Sequence, residues 1–106
     1  MKLLVDTEAL VEARNAAAFY EDSQPGLGKA FLADVEAPTE EIARHPFMWR
    51  RIKGRFRRYL IPRFPYGLIY AVQGKTVYVA AVMHLKRKPG YWGVRTKRSP
   101  SWAIAT

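Results

Sequence analysis

The sequence predicts an α+β fold: an N-terminal strand, a two-helix hairpin, and three further strands completing a sheet of about four. Three observations carry this. Between Thr7 and His45 the apolar residues recur at three- and four-residue steps, the period of a helix with one buried face. From Arg55 to Trp92 the chain alternates apolar and basic residues and is rich in β-branched and aromatic side chains. His45-Pro46 separates the two blocks, because the residue before proline is pushed out of the helical region. The first block then covers one face of the sheet that the second block builds.

Met1 to Val5 is a short apolar run suited to an edge strand. Asp6 or Thr7 offers a side-chain oxygen to cap the first helix, and Glu8 lies near its positive end. The helix runs from Thr7 to about Asp22, with Leu10, Ala13, Ala17 and Tyr20 on one face. Alanines at 13, 16, 17 and 18 permit close approach of a second helix. The turn is Gln24-Pro25-Gly26-Leu27-Gly28. In the second helix Leu27, Phe31, Val35, Pro38 and Ile42 share a face. Pro38 cannot donate to the carbonyl four residues back, so the helix either kinks there or stops near Glu36 and restarts.

Residues 46–54 read as a loop carrying Trp49, Arg50, Arg51 and Lys53. The first strand of the central stretch spans about Phe56 to Ile61 and is broken by Pro62 to Pro65. The second, Gly67 to Gln73, and the third, Thr76 to His84, join across Gly74-Lys75 as a tight hairpin. The third is apolar on both faces and should be the most buried strand. Residues 1–94 form one domain, and the basic stretch 95–106 reads as a flexible tail. Tyr91-Trp92 is either a hydrophobic clasp on the sheet or part of a binding surface.

A chain of 106 residues with a 49% hydrophobic share supports one modest core. It has no cysteine, which excludes disulfides, thiolate metal sites and a cysteine nucleophile. The longest apolar run, Val77 to Met83, is far too short to span a membrane. No signal peptide is evident, so a cytoplasmic protein is expected. The net charge of +9 is distributed very unevenly. Residues 1–41 hold all nine carboxylates against Lys2, Arg14 and Lys29, a balance of −6. Residues 42–106 hold fifteen Lys and Arg and no carboxylate to quench them. A field so one-sided predicts an anionic partner.

No Gly-rich phosphate loop follows a strand, and no carboxylate pair in the basic half can hold a metal, so neither cofactor nor metal is expected. What remains is a cationic surface: Arg50, Arg51, Lys53, Arg55, Arg57, Arg63, Lys86 and Lys88 as nucleic-acid contacts, with Arg58 and Arg87. Aromatic residues are interleaved with it, which suits phosphate pairing and base stacking. Such a surface could also cleave RNA without metal, the 2′-hydroxyl attacking the phosphate while arginines stabilise the developing charge. His84 is the one residue of the basic half suited to moving a proton near neutral pH. Tyr91 would serve as an acid only if nearby cations lowered its pKa. Tyr59, Phe64, Tyr66 and Tyr70, at strand spacing, read as core.

The segments AFYEDSQPGLGKAFLADVE, IARHPFMW, RRYLIPRFPYGLIYAV and VAAVMHLKRKPGYW resemble the RelE/ParE superfamily of toxins from type II toxin–antitoxin modules. The resemblance runs from about Glu12 to Trp92 and implies two helices packed on a twisted, mainly antiparallel sheet. It also implies a cognate antitoxin, encoded next door, that masks the basic surface. One branch of the superfamily cleaves mRNA at the ribosome; another poisons DNA gyrase by protein–protein contact. Arg58, His84, Arg87 and Tyr91 stand where the nucleases place functional residues. The leading expectation is therefore a toxin that inhibits translation as a metal-independent mRNA endoribonuclease. The alternatives are a gyrase poison that uses residues 85–98 and the helical hairpin, or a degenerate toxin that only binds its antitoxin.

Overall fold

A computed structural model describes residues 1–93 and residue 95. Its elements are β1 (Lys2–Val5), α1 (Thr7–Ser23), α2 (Leu27–Arg44), β2 (Arg51–Lys53), β3 (Phe56–Leu60), β4 (Tyr66–Gln73) and β5 (Thr76–His84). The strands form one sheet in the order β1-β5-β4-β3-β2. β1 pairs with β5 in parallel, and every other pairing is antiparallel. The α+β class holds, with five strands where about four were expected. The extra strand is β2, inside the segment read as a loop. Arg51 and Lys53 flank Ile52 and pair with β3 across a register shift.

The Asp6 side chain accepts a hydrogen bond from the backbone N–H of Glu8 at 2.8 Å and so caps α1. It also accepts from the Tyr78 hydroxyl, fixing the start of the helix to the middle of the sheet. Ala9, Ala13, Ala16 and Ala17 form the buried face of α1. Leu10, expected on that face, is instead exposed. The inward stripe is one of small residues, and this brings the two helices close. Gly26 offers no side chain to cap α2, so Glu21 of α1 substitutes, accepting from Gly26 N at 2.9 Å and Gly28 N at 3.0 Å. A methyl group on Gly28 would sit 2.4 Å from the Ala17 carbonyl oxygen. Gly28→Ala should therefore destabilise by about 1–3 kcal/mol through overpacking, although alanine is the better helix former. Urea denaturation measures it, and a stabilised variant would contradict this packing.

α2 runs without a break through Pro38, which lies on the buried face beside Phe31 and Ile42. The helix neither stops near Glu36 nor restarts. One missing backbone bond is tolerated where the ring itself is packed. His45-Pro46 ends the helix as the sequence implied.

β5 is buried along eight of its nine residues, as its two-sided apolar pattern predicted. Its helix-facing side joins Val77, Val79 and Val82 to Leu68, Tyr70, Phe31, Ile42 and the α1 alanines. The opposite side joins Tyr78, Ala80, Ala81 and Met83 to Ile69, Ala71, Phe56 and Trp92. A register shift between Ile69 and Tyr70 accounts for two successive alanines in the second cluster. Trp92 is fully buried there, so the clasp reading of residue 92 is the one observed.

Candidate functional site

β1 covers β5 only from Thr76 to Val79. Beyond that point side chains serve the edge of β5. The Ala80 carbonyl accepts from Arg95 Nη1 at 2.7 Å, and the Val82 N–H donates to Glu12 Oε1 at 3.1 Å. Glu12 and Arg95 are themselves paired, Nη1 to Oε1 at 2.9 Å and Nη2 to Oε2 at 3.2 Å. Arg95 Nε reaches Glu8 Oε2 at 3.1 Å. Tyr91 donates its hydroxyl proton to Glu12 Oε2 at 2.8 Å, and Arg87 Nη1 lies 3.4 Å from that same oxygen. The Arg87 guanidinium stands 3.5 Å from the centre of the Tyr91 ring. One carboxylate from α1 thus gathers three residues that follow β5.

This corrects two expectations. Arg95, assigned to a flexible tail, is buried; the rest of that tail lies outside the described residues. The cations of the basic half are not all without a carboxylate either. Glu12 and Glu8 quench Arg95, Glu12 faces Arg87, and Asp34 forms a two-bond pair with Arg63 at 2.8 and 2.9 Å. The Arg63 hydrogen bond holds the Asp34 carboxyl below the usual carboxylate range. Burial pulls the Arg95 guanidinium down, but Glu12 outweighs it and keeps the pKa above the ordinary value. Burial pushes the Tyr91 phenol up, the Glu12 hydrogen bond and charge push it further, and Arg87 and Arg95 only partly oppose them. Tyr91 is thereby less acidic than a free tyrosine, the reverse of what an acid catalyst at neutral pH requires.

His84 ends β5 on the helix side, its ring edge-on to Tyr66 with centroids 5.0 Å apart. Its Nδ1 accepts from the Lys86 N–H at 3.0 Å. His84 and Arg87 line an open cavity of about 290 Å³ with Glu12, Asn15, Phe19 and Tyr66. Arg58 is elsewhere. It shares strand parity with Phe56, on the face away from the helices, and lines a separate cavity with Trp49, Arg50, Ile52 and Leu60. The structure therefore brings together His84, Arg87 and Tyr91, and leaves Arg58 apart.

The remaining predicted contacts divide. Arg57 points to the helix side and ties down the loop before β2, donating to the Trp49 carbonyl at 2.7 Å and the Phe47 carbonyl at 3.3 Å. Arg63 is bound to Asp34. Arg55 donates to Gln73 Oε1 at 3.4 Å. Arg50, Arg51 and Lys53 are exposed along the β2 edge, and Lys86 and Lys88 in the turn after β5. Among the described residues no three His, Asp or Glu side chains converge as a metal site, and no helix is long and apolar enough to cross a membrane. Glu12 and Arg95 were missed because the partners of Glu12 lie 70 to 83 residues away, where no local spacing exists to see.

A strand, a helical hairpin and a largely antiparallel sheet with a basic rim define a small α+β protein of the architecture that the RelE/ParE resemblance implied. More narrowly, the chain belongs to the ParE toxin family: the model described as ParE toxin of type II toxin-antitoxin system, parDE, matches residues 3–89. Membership implies a cognate antitoxin as partner. A solved structure titled chromosomal ParDE TA system from P. aeruginosa is similar in fold, with a TM-score of 0.60 and 17% sequence identity. The similarity covers 79% of this chain and 95% of that one. No curated protein matches the sequence. Tyr91, Trp92 and Arg95 lie beyond the residues that the family model matches.

Proposed function

We propose that this protein is the toxin of a ParDE-type module and acts in the cytoplasm by gripping DNA gyrase through protein–protein contact. The observation that supports this over RNA cleavage is the engagement of Glu12. It holds Arg87 and Tyr91, burial and Glu12 together raise the tyrosine's pKa, and Arg58 stands on the other side of the sheet. A contact toxin needs a shaped surface rather than an assembled catalytic set, and exposed Phe19, Leu85 and the turn after β5 provide one. Ribosome-associated, metal-independent mRNA cleavage is the second reading. What favours it is the cavity that His84 shares with Arg87.

Induction without the antitoxin separates the readings. The expected result is growth arrest with gyrase-dependent DNA breaks and intact mRNA, and His84→Ala should leave both unchanged. Prompt translational arrest with codon-positioned mRNA cuts would sink the gyrase reading. A nuclease relying on His84 should then lose about 10²–10⁴-fold in cleavage rate in that variant. Unimpaired growth would indicate a chain that only binds its antitoxin.

A further inference from the structure

We infer that Arg50 and Arg58 form a phosphate-binding site for duplex DNA on the sheet face away from α1 and α2, with Gly67 as its positioning residue. Arg58 is the one cation within β3 that turns to this face; Arg57, its neighbour, is spent on the Trp49 and Phe47 carbonyls. Across on β4, a methyl group on Gly67 would lie 3.0 Å from Arg58 Cγ and 3.1 Å from Cδ. The Arg58 stem therefore rests over β4 in space that glycine alone leaves open. Arg50 is fixed beside it, because the Arg58 N–H donates to the Arg50 carbonyl at 3.1 Å. The two side chains line one cavity of about 340 Å³, walled by Trp49, Ile52 and Leu60.

Arg63, Arg87 and Arg95 each meet a carboxylate, whereas among the described residues neither Arg50 nor Arg58 has an ion-pair partner. Two neighbouring guanidiniums without a counter-ion favour a bound anion. Their planar, forked donors suit the non-bridging oxygens of a phosphodiester, while the apolar wall suits the sugar. The anion is one of a series rather than a free phosphate. Lys53 on β2 reaches the turn after β5, where its Nζ lies 2.9 Å from the Cβ position of Gly90. Arg51 and Lys53 on β2 and Lys86 and Lys88 in that turn are exposed and offer further cations to a polyanion. The choice of duplex DNA rests on the gyrase reading, since that enzyme's substrate would lie beside the bound toxin.

The test is fluorescence anisotropy of the purified toxin with a labelled duplex of about 20 base pairs, titrated from about 50 to 200 mM salt without gyrase. Arg50→Ala and Arg58→Ala should each weaken binding about tenfold and lower the salt slope by about 1. Gly67→Ala keeps every charge and meets mainly the flexible Arg58 stem, so it should fold and bind between wild type and Arg58→Ala. Lys29→Ala, on α2, should bind like wild type. Unchanged affinity in all three site variants, with thermal melts confirming folding, would overturn the proposal. So would inorganic phosphate competing as well as duplex, single-stranded RNA binding tenfold tighter, or polyglutamate displacing the duplex at equal charge. The last would indicate an acidic protein surface instead. Gyrase-dependent breaks are scored separately. Normal breaks with absent DNA binding would remove this inference alone, and normal DNA binding without breaks would remove only the gyrase reading.

Discussion

Trp92→Ala is expected to destabilise the protein by about 3–5 kcal/mol, a large share of the total stability of a domain this size. The indole is fully buried and packs edge-on to Phe56, with centroids 6.0 Å apart, over Ile69, Ala81 and Met83. Neither α1 nor α2 covers this side of the sheet, so the indole itself closes the second core. Trp92→Phe should cost far less, about 1–2 kcal/mol. The indole Nε1 has no hydrogen-bond partner among the described residues, and phenylalanine removes that buried, unsatisfied donor along with some volume. Urea denaturation of both variants tests this. Equal losses would mean that the N–H, not the ring, is what matters at this position.

Glu12→Ala should also cost about 3–5 kcal/mol, because it strands a buried charge. The Arg95 side chain is 7% exposed and, among the described residues, would keep Glu8, the Ala80 carbonyl and the Tyr91 ring as partners. The Val82 N–H and the Tyr91 hydroxyl lose their acceptor in the same step. Removing both charges, as in Glu12→Leu with Arg95→Met, should cost less than Glu12→Ala alone, since no uncompensated guanidinium remains. Amide exchange at Val82 offers a local readout and should accelerate in Glu12→Ala. A loss below about 0.5 kcal/mol, as for a surface substitution, would show that the network holds nothing together.

The elements of this fold were largely legible because their signals are local. β5 announces itself by apolar residues on both faces, the Gly74-Lys75 turn by its glycine at φ +59, and α2 by five residues in register. β2 was not legible. Three residues with cations at both ends carry almost no strand signal, and their pairing is fixed by β3. Leu10 was misplaced because the period admits two adjacent stripes, and close helix packing selected the alanine one. The grouping of the candidate residues was only partly visible in the sequence. His84 and Arg87 line one cavity, but Arg87 and Tyr91 meet on a carboxylate that the charge segregation of the sequence assigned to the opposite half of the molecule. Gly67 carried a signal that could have been used: a glycine inside a strand marks a close approach.

The parallel pairing of β1 with β5 sets Lys2 beside Thr76, and Glu12 finds its last partner at Arg95. Contacts this distant in sequence make folding slow, because the long intervening loop must close before they form. During synthesis the helical hairpin leaves the ribosome with Glu12 still unmatched, and it waits for residues 76–95. A nascent chain held in that interval has neither a completed sheet edge nor the turn after β5 in place. The delay between the first helix and the finished toxin is a window in which a cognate antitoxin can arrive first.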